Sequence, residues 1–177
     1  MILLRTNWFV ALIVFLFSCQ FISKEHIGDD EIDELNAQLP KGFPAISVEE
    51  ENTYSLDRWK LGKKLFFEKR FSKDGKLSCA SCHKPEFAFS DNKALSIGAF
   101  KALGTRNAPS LANVAYHPYF LREGSIPTLE MQVLVPIQEE NEFNHNIVLI
   151  AKELKEDERY QALSEKAYGR EMDPYVI

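Results

Sequence analysis

The sequence predicts a mostly α-helical domain, and three observations support that fold class. Apolar residues recur at helical spacing in several stretches, few stretches alternate as strands do, and serine or aspartate stands where helices would begin. The chain has 177 residues, 45% of them hydrophobic and 27% charged, which suits a folded core rather than disorder. This length is typical of one domain with a small appendage.

Charge and cysteine content exclude several classes of protein. The net charge is −5 and no basic tract is present, which argues against nucleic-acid binding. Three cysteines are too few for a disulfide scaffold. No apolar run reaches the roughly 20 residues of a membrane span.

The first 18 residues are typical of an export signal. Arg5 precedes an apolar run over residues 8–17, which is too short to cross a bilayer. Leu16 and Ser18 before Cys19 resemble a lipobox, in which the cysteine is lipidated and becomes the new N-terminus. We therefore expect a periplasmic protein anchored to a membrane through Cys19. An ordinary signal peptide with an incidental Cys19 is the alternative.

Residues 19–53 form an acidic segment with a composition unlike that of the rest. Residues 24–57 hold ten acidic residues and two lysines, whereas residues 58–177 hold 18 basic and 16 acidic residues. The stretch 27–44 contains two glycines and two prolines and little periodicity. We interpret residues 19–53 as a tether that holds a domain, residues 54–177, off a membrane surface.

The domain begins with a predicted helix over residues 55–68. Leu56, Leu61 and Leu65 recur at roughly helical spacing, and Ser55 is a suitable N-cap. The pair Asp74-Gly75 predicts a turn, and Ser78 is expected to cap a short helix over residues 79–83.

The later elements are also predicted, from apolar periodicity and from proline, glycine and capping residues at their ends. Residues 85–104 are expected to be loop, residues 107–115 a helix with Pro109 in its first turn, and Pro127 the start of a helix that Pro136 ends. A helical face follows over residues 143–154. Asp157 is expected to cap a last helix that ends near Gly169.

The strongest chemical signal is the sequence Cys79-Ala80-Ser81-Cys82-His83. In an exported protein, this C-x-x-C-H motif predicts covalent attachment of haem c. The two cysteines form thioethers to the haem vinyl groups, and the adjacent histidine ligates the iron. A zinc site would need a second close pair of ligands, and a thioredoxin-like site would need a βαβ context. A structural disulfide would leave His83 unexplained.

Motifs before and after this sequence follow a family pattern in order. They comprise residues 61–67, 72–75, 78–83, 87–91, 104–116, 129–132 and 136–137. Together they resemble the bacterial di-haem cytochrome c peroxidases and the wider MauG-like branch, over roughly residues 54–177. The resemblance implies a cytochrome c-like helical domain around one covalently bound haem, the peroxide-reacting haem of that family.

The resemblance implies roles for two distal residues. Gln132 matches the family's distal glutamine, and Glu142 matches its acid–base glutamate. Cleavage of the peroxide O–O bond needs one oxygen deprotonated and the other protonated, and one carboxylate can do both in turn. A neutral amide can orient peroxide without adding charge. Taken alone, Glu142 looks like part of a solvated acidic loop, and Gln132 like a helix-surface residue.

The resemblance also implies two peripheral contacts. Asn107 matches an asparagine that helps to bind calcium, an ion that prefers oxygen ligands; its alternative role is a helix N-cap. Arg106 is expected to pair with a haem propionate, or else to lie on the surface.

Three departures from the family pattern stand out. The position of the histidine that caps the resting iron in much of the family is Ala99 here. His117 and His145 are other candidate ligands, which we interpret as surface residues. No tryptophan occupies residues 120–124, where the family places its inter-haem relay. The chain shows no second C-x-x-C-H before Ile177, so it is either a fragment or a single-haem protein.

These observations favour a cytochrome c peroxidase, an oxidoreductase that reduces hydrogen peroxide to water with electrons from a small cytochrome or copper protein. The isolated chain is expected to lack a second haem domain. The alternatives are a single-haem electron carrier, for which Met131 and Met172 are candidate axial ligands, and a MauG-like enzyme that oxidises a protein partner.

Overall fold

The computed structural model describes residues 29–177, so the predicted signal segment and Cys19 lie outside the described residues. The described residues are mostly helical, and their only β-type pairings are three isolated bridges. The predicted fold class is therefore confirmed. The α-helices of this part are α1 (Asp29–Ala37), α2 (Leu56–Phe66), α3 (Cys79–Cys82), α4 (Leu129–Gln138), α5 (Ile147–Lys155) and α6 (Glu158–Tyr168).

Helix α2 begins and faces the core as the sequence predicts. Ser55 is its N-cap, and the Ser55 hydroxyl accepts a hydrogen bond from the Arg58 backbone N–H at 3.2 Å. Leu61 and Leu65 are buried, and the helix packs against α6. Leu56 is exposed, contrary to expectation. Five residues before Leu61, it lies roughly 140° around the helix from the buried face.

Helices α5 and α6 are confirmed, as is the Asp157 cap, but α5 begins at Ile147 rather than near residue 143, and its Asn146 cap was not predicted. The Asn146 side chain accepts from the backbone N–H groups at the start of α5, and Asp157 does the same for α6. Gly169 ends α6 in the left-handed conformation, with φ of 62°. The core of the domain is formed by α2, α5, α6, the end of α4 and the C-terminal residues. Its buried members are Leu61, Leu65, Phe71, Ile137, Phe143, Ile150, Leu154, Tyr160, Ala167, Met172 and Val176.

A polar cluster joins the end of α2 to the start of α6. Arg70 bonds both Glu68, at 2.8 Å, and Asp157, at 3.2 Å, while the Tyr160 hydroxyl donates to Glu68 at 2.7 Å. Burial alone would raise the pKa of Glu68, but the hydrogen bonds from Arg70 and Tyr160 lower it to about 2. The cluster therefore stabilises the core side of the domain as a charged unit.

The predicted helix over residues 107–115 is wrong. Only Val114–Tyr116 forms a single 3₁₀ turn, and the preceding residues run without helix. Ala108 is buried, and its carbonyl accepts a hydrogen bond from the Ser90 hydroxyl at 2.8 Å. That tertiary bond and the steric bias of a residue before proline, here Pro109, hold the segment out of the helical conformation.

Helix α4 differs from expectation at both ends. Thr128 is its N-cap, so the helix begins after Pro127, and it continues through Pro136 to Gln138. A proline has no N–H to donate to the carbonyl four residues earlier, that of Gln132. The Glu139 N–H still bonds the Val135 carbonyl at 3.0 Å, which explains why Pro136 does not end the helix.

The acidic segment contains a helix, α1, that the sequence analysis did not predict. The segment also contacts the domain. The Leu56 N–H donates to the Glu31 carboxylate at 2.8 Å, and the Tyr116 hydroxyl donates to the Pro44 carbonyl at 3.0 Å. Asn52 bonds the Glu130 carboxylate at 2.9 Å. No helix between residues 29 and 177 is long and apolar enough to cross a bilayer.

Candidate haem site

The two cysteines of the C-x-x-C-H motif lie on α3, a short helix as predicted, which ends at Cys82, one residue before His83. Ser78 and Ser81 form a reciprocal capping box that fixes the start of this single turn. Cys79 packs against the core, and both cysteines are free thiols. Burial raises the pKa of the Cys79 thiol to about 11. Burial also raises the pKa of Cys82, and the nearby charges of Asp91 and Glu142 raise it further.

His83 follows α3 with its ring orientation already fixed. Its Nδ1 lies 2.8 Å from the carbonyl oxygen of Phe89, which can only accept, so Nδ1 carries the proton. Nε2 has no hydrogen-bond partner among the described residues and is the nitrogen free to ligate a metal. A hydrogen bond of this kind sets the tautomer and raises the basicity of a ligating histidine.

A tight loop brings the Phe89 carbonyl to His83. The Lys84 and Ser90 backbones pair in an isolated bridge, and Ala88 and Phe89 both have positive φ, of 52° and 60°. The Ser110 hydroxyl donates to the Ala88 carbonyl at 2.6 Å. These bonds hold two non-glycine residues in an otherwise unfavourable conformation, which is typical of functional sites.

Glu142 and Ala99 are far apart in the sequence, but their backbones lie next to each other in the structure. The Ala99 N–H donates to the Glu142 carbonyl at 2.7 Å. Gly98 makes this approach possible, because a Cβ at that position would lie only 2.1 Å from the carbonyl oxygen of Asn141. The residue that matches the family's capping histidine is therefore a buried alanine beside the backbone of the matched glutamate.

The environment of Glu142 raises the pKa of its carboxyl group. The residue is exposed, but partial desolvation raises this pKa, and repulsion from Glu139 raises it further. A carboxyl group with a raised pKa close to Cys82 is suited to general acid–base chemistry.

Gln132 lies on α4, and its side chain carries an unmet hydrogen-bonding group. The Oε1 atom is buried and has no partner among the described residues. Buried polar atoms are nearly always paired, so an unpaired amide oxygen indicates a missing partner such as a ligand or water. The side-chain chemistry therefore fits a site that holds a cofactor and a small polar substrate.

The apolar residues after His83 fit a large apolar cofactor as well. We call residues 83–128 the loop region and residues 54–82 with 129–177 the core region. Several large apolar side chains of the loop region are exposed: Phe87, Phe89, Leu95, Ile97, Phe100, Leu103, Tyr119 and Leu121. A haem ring in contact with such side chains would remove them from water.

The structure leaves the two peripheral candidates away from any cluster of ligands. Arg106 is exposed and pairs with the Glu123 carboxylate. Asn107 is exposed, and its amide makes only a long 3.5 Å contact to the Ala108 carbonyl. The described residues contain no group of three or more histidine, cysteine, aspartate or glutamate side chains able to hold a metal ion.

The other candidate iron ligands from the sequence are two methionines and two histidines, and each lies in a distinct environment. Met172 is buried in the hydrophobic core, whereas Met131 is exposed on α4. His117 is exposed and stacks on Phe120. His145 accepts a hydrogen bond at Nδ1 from the backbone N–H of the next residue, at 2.8 Å.

Sequence reasoning missed three contributors to the site. They are the Phe89 carbonyl, the Gly98 backbone and the Asp74 carboxylate, which accepts from the Phe100 N–H at 3.0 Å. Backbone groups carry no side-chain signal. Asp74 was assigned only to a turn, because its partner lies 26 residues away.

A family model described as "Di-haem cytochrome c peroxidase" matches residues 57–176. The methylamine utilization protein MauG of Methylophilus methylotrophus is 33% identical over 118 residues, which cover 67% of this chain and 35% of that protein. The cytochrome c551 peroxidase of Nitrosomonas europaea is 32% identical over 126 residues, 71% of this chain and 37% of that protein. The chain thus spans about a third of the length of these curated relatives.

Solved structures agree with the sequence relatives. A MauG-like protein associated with microbial copper homeostasis superposes with a TM-score of 0.73 at 32% identity, over 80% of this chain and 44% of that one. The diheme peroxidase BthA of Burkholderia thailandensis shares the fold with a TM-score of 0.61 at 23% identity, over 72% of this chain and 38% of that one. The chain belongs to the di-haem cytochrome c peroxidase family.

Proposed function

We propose that this chain is a haem c peroxidase domain that reduces hydrogen peroxide to water. The balanced reaction joins one peroxide with two electrons and two protons to give two water molecules. A small redox protein supplies the electrons. Family membership and the similarity to a cytochrome c551 peroxidase support this class of reaction.

One observation carries the proposal most directly: Ala99 and Glu142 are hydrogen-bonded neighbours. The position that matches the family's capping histidine holds a methyl group, and the N–H of that residue donates to the backbone carbonyl of Glu142. A haem with no protein ligand on that side, near an acid–base residue, would suit peroxide chemistry. An electron carrier would instead need a second strong axial ligand.

The chain's own residues have distinct tasks in this proposal. Cys79 and Cys82 hold the haem covalently, and His83 ligates its iron through Nε2. The bound haem supplies a metal that can exchange electrons with peroxide. The Phe89 carbonyl keeps the His83 ring in place, since it accepts a hydrogen bond from the Nδ1–H at an N···O distance of 2.8 Å.

Glu142 moves the proton, and Gln132 orients the substrate. The Glu142 carboxylate accepts a proton from one peroxide oxygen and returns it to the other, which leaves as water. Its raised pKa brings the two protonation states closer in free energy near neutral pH. The unpaired Oε1 of Gln132 can accept a hydrogen bond from peroxide without adding charge.

The methionines argue against the electron-carrier alternative. Met172 is only 2% exposed and belongs to the hydrophobic core, and Met131 is exposed on the α4 surface. A His/Met carrier needs a methionine sulfur directed at the iron. Neither environment supports that role.

Oxidation of a protein partner is the second candidate function. It is favoured by the 33% identity to a MauG protein and by the fold shared with a MauG-like protein. Turnover assays separate the two functions. Fast peroxide consumption with a reduced small cytochrome supports the peroxidase, whereas peroxide consumption only in the presence of an oxidisable protein supports the MauG-like reaction.

Covalent attachment is the first experimental test. The purified protein should retain the mass of one haem after acid–acetone extraction, because thioether bonds survive that treatment. Haem recovered in the solvent phase would contradict attachment at Cys79 and Cys82.

The cellular setting is also a proposal. We infer export and lipidation at Cys19, a calcium ligand at Asn107, a haem propionate partner at Arg106, and electron delivery through a second haem domain of the family type. Cys19→Ala should release the protein from the membrane fraction, because an attached lipid supplies the buried methylene groups that anchor it. An unchanged membrane fraction would contradict lipidation.

A further inference from the structure

We propose that Asp74 is a positioning residue that holds Glu142 in place through the loop carrying Ala99. This inference rests on the proposed function of Glu142. It assigns a task to a carboxylate that touches none of the proposed reacting groups.

Asp74 bridges two segments with its two carboxylate oxygens. Oδ1 accepts the Lys76 N–H at 3.2 Å within the turn that precedes α3. Oδ2 accepts the Phe100 N–H at 3.0 Å, from a loop 26 residues further along the chain. The hydrogen bond from the Phe100 N–H is the largest cause of the lowered pKa of Asp74, so the bridge is made by the ionised carboxylate.

The loop that contains Ala99 connects Asp74 to Glu142 through a second hydrogen bond. The N–H groups of two consecutive residues diverge: that of Phe100 goes to Asp74, and that of Ala99 goes to the Glu142 carbonyl at 2.7 Å. A third bond closes the ring, because the Lys73 N–H donates to the Phe143 carbonyl at 3.0 Å. The turn, the loop and the acid are therefore hydrogen-bonded in one closed circuit.

The backbone of the loop is strained in a way that serves these bonds. Phe100 and Lys101 have φ of 55° and 64°, which is unusual for bulky side chains. The Phe100 side chain is 62% exposed, so side-chain burial does not explain the conformation. The positive φ values instead reverse the chain directly after the two N–H groups, and the Ala102 N–H closes the reversal with a bond to the Ala99 carbonyl at 3.0 Å. Strain held by surrounding bonds at a site is typical of pre-organisation.

The test uses a substitution that breaks only one arm of the bridge. In Asp74→Asn the amide oxygen should stay on the Oδ1 side, because two donors meet it there, the Ser72 hydroxyl at 3.0 Å and the Lys76 N–H at 3.2 Å. The asparagine NH₂ group cannot accept from Phe100. Asp57→Asn, on the exposed side of α2, is the control for the same change in charge.

Amide hydrogen exchange on the haem-loaded full chain gives a readout that does not depend on activity. In Asp74→Asn, exchange at Phe100 and Ala99 should accelerate by about tenfold or more, because a hydrogen bond to a charged group is lost. Exchange at Lys76 should stay close to the parent rate. Unchanged exchange at Ala99 would overturn the proposed link.

The rate of reaction with peroxide gives the second readout. Asp74→Asn should slow it by roughly 10–100-fold, as expected when a supporting residue lets a reacting group move. The double variant with Glu142→Gln should be no slower than Glu142→Gln alone. Independent, multiplying effects would overturn the positioning role. If Glu142→Gln itself reacts at the parent rate, the proposed proton role is wrong, and exchange at Ala99 alone decides the link.

Discussion

The core region and the loop region are stabilised in different ways. In the core region, α2, α5 and α6 bury a continuous cluster of apolar side chains that includes Leu61, Leu154 and Tyr160. In the loop region, the buried apolar residues are Ala99, Ala108 and Phe120, while larger side chains face solvent. The core region therefore contains its own apolar core, whereas the loop region presents apolar side chains that a bound haem could cover.

The proposed site draws on both regions. His83 and Ala99 belong to the loop region, where hydrogen bonds rather than packing set the geometry, whereas Cys79, Gln132 and Glu142 belong to the core region. A prosthetic group that completes the apolar contacts would stabilise the loop region by binding only the folded form. The core region provides rigid packing for α3, because Cys79 contacts the apolar core.

Loss of covalent haem should have the largest effect. In a Cys79→Ser/Cys82→Ser variant, amides of the loop region should lose most of their hydrogen-exchange protection, whereas α2, α5 and α6 should keep theirs. Cys19→Ala, which removes the third cysteine, is the matched control and should keep the haem. Equal loss of protection in both regions would remove the distinction between them.

Glu142→Gln should slow the reaction with peroxide by about 10²–10⁴-fold, the range typical of general acid–base groups. In the parent the rate should fall as the pH falls through the raised pKa of Glu142, because the proton must be accepted by the ionised form. The variant should lose this dependence on pH.

Two comparisons separate the role of Glu142 from general effects of the acidic loop. Glu140→Gln, in the same exposed loop, should react at nearly the parent rate in stopped-flow measurements. Gln132→Ala should be slowed less than Glu142→Gln, since Gln132 orients peroxide and transfers no proton. If the Glu142→Gln variant reacts at the parent rate, Glu142 has no proton-transfer role and is only a residue of a solvated acidic loop.

Leu154→Ala should reduce the free energy of unfolding by about 2–5 kcal/mol, because it leaves a cavity in the fully buried core. The absorption spectrum of the bound haem should not change. Leu149→Ala, on the exposed side of the same helix, should cost less than about 1 kcal/mol in urea unfolding. A changed haem spectrum in Leu154→Ala would show that the two regions are not separable.

The smallest expected effect concerns the polar cluster at Glu68. Its pKa is about 2 in the folded protein and near 4.5 when unfolded, so its contribution is present above pH 4.5 and is lost as the pH falls toward 2. Glu68→Gln should therefore reduce stability at pH 7 by about 1 kcal/mol and flatten its dependence on pH between 5 and 2. Identical pH profiles would contradict a charged cluster.

Elements with local signals were predictable from the sequence. Helix α5 was predicted from its apolar face, and α6 from the Asp157 cap and from Gly169 at its end. These signals are contained within a few residues, so no distant contact is needed to detect them. The motif on α3 is equally local, and its spacing predicts haem attachment.

Elements fixed by distant contacts were not predictable. Residues 107–115 have the composition of a helix, but the Ser90 hydroxyl captures the Ala108 carbonyl. Glu142 cannot be told from its acidic neighbours by sequence pattern, and the bond from the Ala99 N–H to its backbone carbonyl depends on a residue 43 positions earlier. Chain reversals in the loop region bring these residues together, and no periodic pattern encodes such reversals.

The electron paramagnetic resonance spectrum of the resting ferric protein tests most directly whether the haem is open at the Ala99 side. Because Ala99 cannot ligate iron, we expect a high-spin signal from a five-coordinate or water-bound haem that reacts with peroxide without prior reduction. A low-spin signal from two strong protein ligands, such as His83 with His117 or His145, would contradict an open peroxidase site.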